Sequence, residues 1–375
     1  MAADFLIVGG GMAGAAAGYF LAEHGRVVLL EREATLAYHS TGRSAALYTE
    51  TYGNAAIRAL TVTSGPFFRD PPAGFTDTPL LTRRGVLFVA RAEDKPKFEA
   101  ALAIGQRFAP GVRALDREEA LAICPVVRES WLAHAFLEPD AMDLDVHAIH
   151  QGFLKGLRAR GGQVVTGAAA QAIARRAGEW HVETAQGAFD APNLVNAAGA
   201  WADEVAALAG VAPVGLIPKR RTVIIVDTEP PCPESGHWPM VGDVGESFYF
   251  RPESGRLLIS PADETPVPPS DVQPEEMDMA LAASRFEAAT RLRVTRIARK
   301  WAGLRTFAPD KTLVIGPDPS APGFFWTAGQ GGYGIQTAPA AGRALATLAT
   351  AGTLEPALAA HGLAPAALLP TRLRA

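Results

Sequence analysis

The sequence predicts an α/β protein. A Rossmann-type nucleotide-binding domain is assembled from both ends of the chain, and an interleaved α+β substrate domain is built on a mostly antiparallel sheet. Three observations carry this. Residues 5–33 read strand, glycine-rich turn, helix, strand and acid in register. A second glycine-rich turn, at residues 329–334, opens a helix near the other end. The text between them is rich in short strand-like runs broken by turn residues.

Phe5–Val8 is a short apolar run of the kind buried in a parallel sheet. It stops at Gly9-Gly10-Gly11-Met12-Ala13-Gly14, which fits GxGxxG. Gly9 permits the tight turn, Gly11 lets the backbone approach a pyrophosphate, and Gly14 packs helix on strand. The spacing predicts a helix over Met12–His24, with its free N–H groups and positive end facing the phosphates. Gly25 ends it, Arg26–Leu30 is the next strand, and Glu31 follows. An acid about 20 residues past the glycines is placed to bind ribose hydroxyls.

After residues 40–44 the text is mixed, and Pro71-Pro72 marks a loop. Gly85–Ala90 reads as a strand, Lys95–Phe108 as a charged helix, Val146–Arg160 as an amphipathic helix and Gln163–Thr166 as a short strand. Trp180–Thr184, Asn193–Ala197, Thr222–Val226, Phe248–Arg251 and Leu257–Ser260 read as sheet. Pro230–Pro239 and Pro261–Pro274 are loops, Glu275–Leu292 is a helix, and a last helix runs from about Ile335 to Ala351. The nucleotide domain is expected over residues 1–82, 141–217 and 300–375, and the substrate domain over 83–140 and 218–299.

With 375 residues, 48% of them hydrophobic, the chain can bury a sizeable core. A net charge of −4 gives no electrostatic case for nucleic acid. The basic run Arg291, Arg293, Arg296, Arg299 and Lys300 suits a solvated face. Cys124 and Cys232 stand far apart in sequence without CxxC, so neither a disulfide framework nor a cysteine zinc site is expected. Asp143, Asp145, His147 and His150 could be drawn as a metal site, but the acids are expected to open a helix and the histidines to lie on its surface. No metal is expected. The N-terminus lacks a signal-peptide pattern, and no stretch reaches about 18 apolar residues, so a cytoplasmic protein without an integral membrane segment is expected.

Two glycine-rich turns at opposite ends of the chain favour FAD over NAD, because NAD needs only one continuous N-terminal domain. The motifs GGGMAG, Glu31-Arg32, HSTGRSAA (39–46), VNAAGAWAD (195–203), PKRR (218–221), WAGLR (301–305) and QGGYGIQT (330–337) then resemble the FAD-dependent D-amino acid oxidase/dehydrogenase superfamily, with the bacterial D-arginine dehydrogenase type nearest. The resemblance implies FAD held by Gly9, Gly11, Met12, Ala13 and Gly14 at the pyrophosphate and by Glu31 and Arg32 at the ribose. It implies Ser40, Thr41, Arg43, Ser44, Ala45 and Ala46 along flavin and pyrophosphate, and Val165 at adenine. Ala198, Gly199 and Trp201 would flank the cofactor. Gly303, Arg305, Gly331, Gly332, Tyr333, Gly334, Ile335, Gln336 and Thr337 would surround the flavin ring, where a positive helix end stabilises the reduced anion.

The same resemblance makes Arg221 and Arg305 the carboxylate anchors, since a guanidinium fork fixes a carboxylate through paired charge-assisted bonds. Tyr249 and Tyr52 would add hydroxyls, and the Gly332 carbonyl would orient the amine. The implied reaction is oxidative deamination of a D-amino acid, with a quinone or dioxygen as electron acceptor. Glycine or sarcosine oxidation, or 2-hydroxy acid oxidation on the same arginines, are the alternatives. The D-arginine pattern has a histidine where Leu47 stands and a glutamate where Val86 stands. Both positions are apolar here, so a neutral side chain is expected, with Glu50 the acid that could swing in as a substitute.

Overall fold

The computed structural model describes residues 3–374. Its first layer is a six-stranded sheet in the order Val314–Pro317, Phe324–Ala328, Asn193–Asn196, Phe5–Val8, Val27–Leu30, Gln163–Val165. All pairings are parallel except that of Val314–Pro317 with Phe324–Ala328. Strands from the two ends of the chain therefore share one sheet. Parallel strands are buried on both faces, and Leu6, Ile7, Leu29, Leu194, Val195 and Trp326 accordingly have no exposed surface. The helix Met12–Leu21 packs on one face with Val146–Ala159 and the C-terminal helix Ala338–Thr350. A small antiparallel sheet (Ala172–Arg176, Glu179–Thr184, Gly187–Ala191) shares the core on the other face.

The second layer is a mostly antiparallel nine-stranded sheet. It runs Thr265–Pro266, Ile217–Glu229, Arg256–Ser260, Tyr249–Glu253, Met240–Asp243, Val86–Ala90, His134–Glu138, Arg113–Leu115, with Arg293–Phe307 paired along Ile217–Glu229. Two of its strands are much longer than the runs the sequence marks. Ile217–Glu229 spans 13 residues and Arg293–Phe307 spans 15. The boundary expected at 299/300 falls inside the latter, whose ladder continues to Phe307. Of the basic run, Arg291 precedes this strand and Arg293, Arg296, Arg299 and Lys300 lie on it, all exposed.

The helix Ala55–Arg69 is absent from the sequence reading. Thr61, Thr63, Ser64, Gly65 and Pro66 are poor helix formers, which hid it. Its start signal was nonetheless present: Asn54 accepts from the Ile57 N–H at 3.1 Å, and Thr61 and Ser64 turn their hydroxyls back onto helix carbonyls. The last helix begins at Ala338 rather than Ile335, because residues 331–337 stay in turn conformation. Among the described residues no helix is long and apolar enough to cross a membrane.

Candidate active site

A 620 Å³ cavity runs between the two large sheets. At one end lies the turn after Phe5–Val8. Gly9 sits at φ +115°, and a Cβ on Gly14 would stand 1.8 Å from the Gly9 carbonyl oxygen, so both positions demand glycine. Gly9, Gly11, Met12 and Ala13 line the cavity, while Gly14 is behind them, on the helix side of the turn. The Gly10 peptide is held at both ends. Its N–H donates to Glu31 Oε2 at 2.7 Å, and its carbonyl accepts from His150 Nε2 at 2.9 Å. His150 is thus buried against the phosphate turn, not on the helix surface as expected; only His147 is exposed there. Burial keeps the His150 imidazole below its ordinary pKa, hence neutral, which fixes the proton on Nε2. Asp145 caps the helix at the Ala148 N–H as expected, but Asp143 lies on a strand and pairs with Arg84 at 2.7 Å and with Arg251.

The rest of this end is largely satisfied within the protein. The Met12 N–H donates to Thr41 Oγ1 at 3.0 Å, and Glu31 Oε1 accepts from the Glu33 N–H at 2.8 Å. Arg32 lies 4.7 Å over the Trp201 ring, which also meets the His39 ring at 4.6 Å. Ser40 Oγ donates to the Leu304 carbonyl at 2.6 Å and Ser44 Oγ to the Ser40 carbonyl at 2.8 Å. The Arg43 guanidinium bonds the carbonyls of Val272 and Ala302 at 3.0 and 3.1 Å and pairs with Asp271. Ser40, Thr41 and Arg43–Ala46 line the cavity, yet several of their polar side chains lash the segment to Arg293–Phe307 and the proline-rich loop. Ala198, Gly199 and Trp201 border the cavity, but Val165 does not: its carbonyl accepts from the Glu31 N–H at 2.8 Å. Ala168, Ala169 and Ala170 line this end instead. Their one signal in the sequence was a run of small residues after Gly167, whose φ is +64°.

At the other end Gly331, Gly332, Gly334, Ile335 and Gln336 form the floor. Tyr333 and Thr337 lie beneath it, Tyr333 with its ring 4.9 Å from Tyr52, and Thr337 donating to the Tyr333 carbonyl at 2.9 Å. Gly303, Arg305, Arg221, Tyr249 and Tyr52 close the opposite wall. Arg221 and Arg305 come from adjacent antiparallel strands, facing Gly303 and Lys219 respectively. Their circumstances differ. Arg221 donates to the Asp263 carbonyl at 2.8 Å and meets Glu264 at 3.4 Å. Arg305 donates to the Tyr52 hydroxyl at 3.2 Å, and among the described residues no carboxylate stands within ion-pair reach of it. Burial opposes its charge, but the phenols of Tyr52 and Tyr249 outweigh that and raise its pKa. Tyr249 answers in kind: burial raises its phenol, and the two guanidiniums lower it further, below the ordinary value. A Cβ on Gly332 would touch the Arg305 guanidinium at 2.8 Å, so this glycine lets the floor approach the charge.

Leu47, Val86, Phe88, Val223 and Met240 make the remaining wall apolar. Glu50 is not part of it: its carboxylate accepts from Tyr48 at 2.6 Å and from Arg69 at 3.1 Å. Two acids that the sequence reading passed over, Asp243 and Glu246, border the cavity where Met240–Asp243 turns toward Tyr249. Asp243 is held by the Ser247 N–H at 3.2 Å, and its Oδ1 is buried without a partner.

The residues present fit FAD. The elongated cavity joins a phosphate turn to an enclosed floor, and its Cβ-intolerant glycines leave room for a ligand backed closely by main chain. A family model described as DAO, FAD dependent oxidoreductase, matches residues 4–348. FAD-dependent oxidoreductase domain-containing protein 1 of Bos taurus is 26% identical, covering 94% of this chain and 82% of its own. Mouse mitochondrial dimethylglycine dehydrogenase is 25% identical over 92% of this chain, and mouse sarcosine dehydrogenase 24%. The chain spans only 42% and 39% of those two proteins. Among solved structures, L-proline dehydrogenase from P. horikoshii superposes with a TM-score of 0.82 at 22% identity, covering 94% of each chain. Glycine oxidase from Geobacillus kaustophilus gives 0.78 at 22% identity, covering 92% of this chain and 94% of its own.

Proposed function

The chain belongs to the FAD-dependent oxidoreductase family, and from that premise we propose that it oxidatively deaminates D-amino acids with neutral side chains to 2-oxo acids and ammonia. The observation that carries the reading is Arg305. It is a half-buried guanidinium without a carboxylate partner among the described residues, facing a cavity beside the glycine floor. An uncompensated buried charge is expensive unless a ligand completes it, and an α-carboxylate is the matching fork.

FAD, held along Gly9, Gly11, Met12 and Ala13 and over the floor of Gly331, Gly332 and Gly334, would supply a two-electron acceptor for oxidation at Cα. The chain's own groups do the rest. Arg305, with the hydroxyls of Tyr52 and Tyr249, holds the carboxylate and so fixes Cα. Arg221, shared with Glu264, adds positive potential behind it. The Gly332 carbonyl accepts from the amine, orienting the lone pair. Leu47, Val86, Phe88 and Met240 take an apolar side chain, which gains about 25 cal/mol per Å² buried, and they offer nothing to a guanidinium. Positioning of this kind supplies much of the rate, with no strong base required. Water would then hydrolyse the imine product to the 2-oxo acid and ammonia, with a quinone or dioxygen as the final electron acceptor.

A second reading is oxidation of a secondary or N-methylated amino acid. It is favoured by the substrates for which the similar dimethylglycine, sarcosine and L-proline dehydrogenases are named. Anaerobic mixing of the FAD-loaded protein with D-amino acids, L-amino acids, sarcosine and proline, followed by flavin bleaching near about 450 nm, separates the two. Fast bleaching by D-leucine or D-methionine supports the first. Bleaching by sarcosine or proline alone replaces it with the second.

A further inference from the structure

We propose that Glu138 is a positioning residue for the carboxylate anchor. It holds the Thr49–Tyr52 segment so that the Tyr52 hydroxyl meets Arg305. The inference rests on the reading of Arg305 as the anchor.

Glu138 ends the strand His134–Glu138, opposite Val86 on the neighbouring strand, and is 2% exposed. It has no ion-pair partner among the described residues. Its neighbours are donors from one short segment. Thr49 Oγ1 lies 2.9 Å from each carboxylate oxygen, Thr51 Oγ1 donates at 2.6 Å, and the Glu50 N–H donates at 3.2 Å. A carboxylate has about four lone-pair sites, so it can take all three donors at once, whereas an amide at the same place presents two hydrogens to them. Burial, with the Glu50 charge nearby, pushes the Glu138 carboxyl up, and the three donors pull against that.

Besides these bonds the segment is fixed by the Tyr52 ring, 4.9 Å from that of Tyr333, and by a few polar contacts. It lies between the two-residue strand Leu47–Tyr48 and the helix starting at Ala55, outside any sheet ladder. The Thr49 N–H reaches Gln336 Oε1 at 3.4 Å, and Gln336 in turn donates to Thr61 at 2.8 Å. Glu50 gives its own carboxylate to Tyr48 and Arg69. Thr49 and Thr51 are therefore tied to the substrate sheet through Glu138. Tyr52, the next residue, carries the hydroxyl that accepts from Arg305 at 3.2 Å. The register of that hydroxyl is inherited from the Glu138 carboxylate one step away.

The test is an equilibrium titration of the FAD-loaded protein with benzoate, read from the flavin spectrum, in the wild type, Glu138→Gln, Tyr52→Phe and the double variant. Glu138→Gln is expected to weaken benzoate about tenfold, the scale of a hydrogen bond to a charged group. Acting through Tyr52, it adds little once Tyr52→Phe is in place, so the double variant binds about as the weaker single does. Thr51→Val removes one donor while leaving the buried acid, and is expected to give a smaller weakening if Glu138→Gln does not fold. Full additivity in the double variant, or unchanged binding in both Glu138→Gln and Thr51→Val, overturns the proposal. Arg305→Met is the control: benzoate binding that survives it removes the anchor, and this proposal with it, whereas additivity with Arg305-dependent binding removes this proposal alone.

Discussion

At the nucleotide end of the cavity the polar groups already have protein partners. Glu31 takes two backbone N–H groups, Thr41 takes the Met12 N–H, and the Arg43 guanidinium is spent on Val272, Ala302 and Asp271. At the substrate end Arg305 has only a phenol, and Asp243 Oδ1 has nothing. The first end is a rigid mould, in which shape and main chain do the binding. The second keeps charge in reserve, at a cost to stability that a substrate returns. The two ends should therefore fail differently: damage to the mould should cost FAD and fold together, and damage to the reserve should cost substrate binding alone.

The largest effect belongs to the mould. Gly14→Val drives a side chain into the Gly9 carbonyl, and should cost on the order of 3–5 kcal/mol with loss of bound flavin. Flavin content and thermal melting check it together. A folded variant that keeps its flavin would break the distinction.

Arg221→Met should leave FAD content unchanged and lower kcat/KM for amino acids by about tenfold less than Arg305→Met does, because Glu264 and Asp263 already share Arg221. Equal losses in steady-state kinetics would mean that both arginines are held in reserve.

His150 sharpens the comparison with pH. Its folded pKa is depressed by burial, so the unfolded chain binds a proton that the folded one refuses as pH falls below about 6.5. Stability is therefore unaffected above that value and declines below it. His150→Gln should lower FAD affinity by about 1 kcal/mol through the lost imidazole bond to Gly10. It should also flatten the decline in melting temperature between about pH 6.5 and 5. A wild-type slope that persists in His150→Gln would assign it elsewhere.

The smallest effect concerns side chains. D-leucine and D-methionine should exceed D-arginine in kcat/KM, and Glu50→Gln should leave that order unchanged because Glu50 is engaged by Tyr48 and Arg69. If D-arginine wins and Asp243→Asn removes its advantage, the acid end of the cavity, not the apolar wall, reads the substrate.

What the sequence made legible follows the same division. The nucleotide half is written locally: the glycines, the helix and Glu31 lie within one short segment, and each has a fixed job in one turn. Assembly of the parallel sheet from both termini was legible because the second glycine-rich turn repeats the signal. The substrate half is written across long separations, where Glu138 meets Thr49 and Arg305 meets Tyr52, and no periodicity points to such pairs. His150 shows the limit from another side. On a helix of ordinary amphipathic pattern, nothing in the sequence marks which histidine turns inward to a carbonyl 140 residues away.

The most direct test compares the best amino-acid substrate with the amine left when its carboxylate is removed, measuring anaerobic flavin reduction in the wild type and in Arg305→Met. The wild type should prefer the amino acid by the about 2–5 kcal/mol of a desolvated charge pair, and Arg305→Met, still carrying FAD, should lose most of that preference. A variant that keeps its FAD and still discriminates as the wild type does would contradict the assignment of Arg305 as the carboxylate anchor.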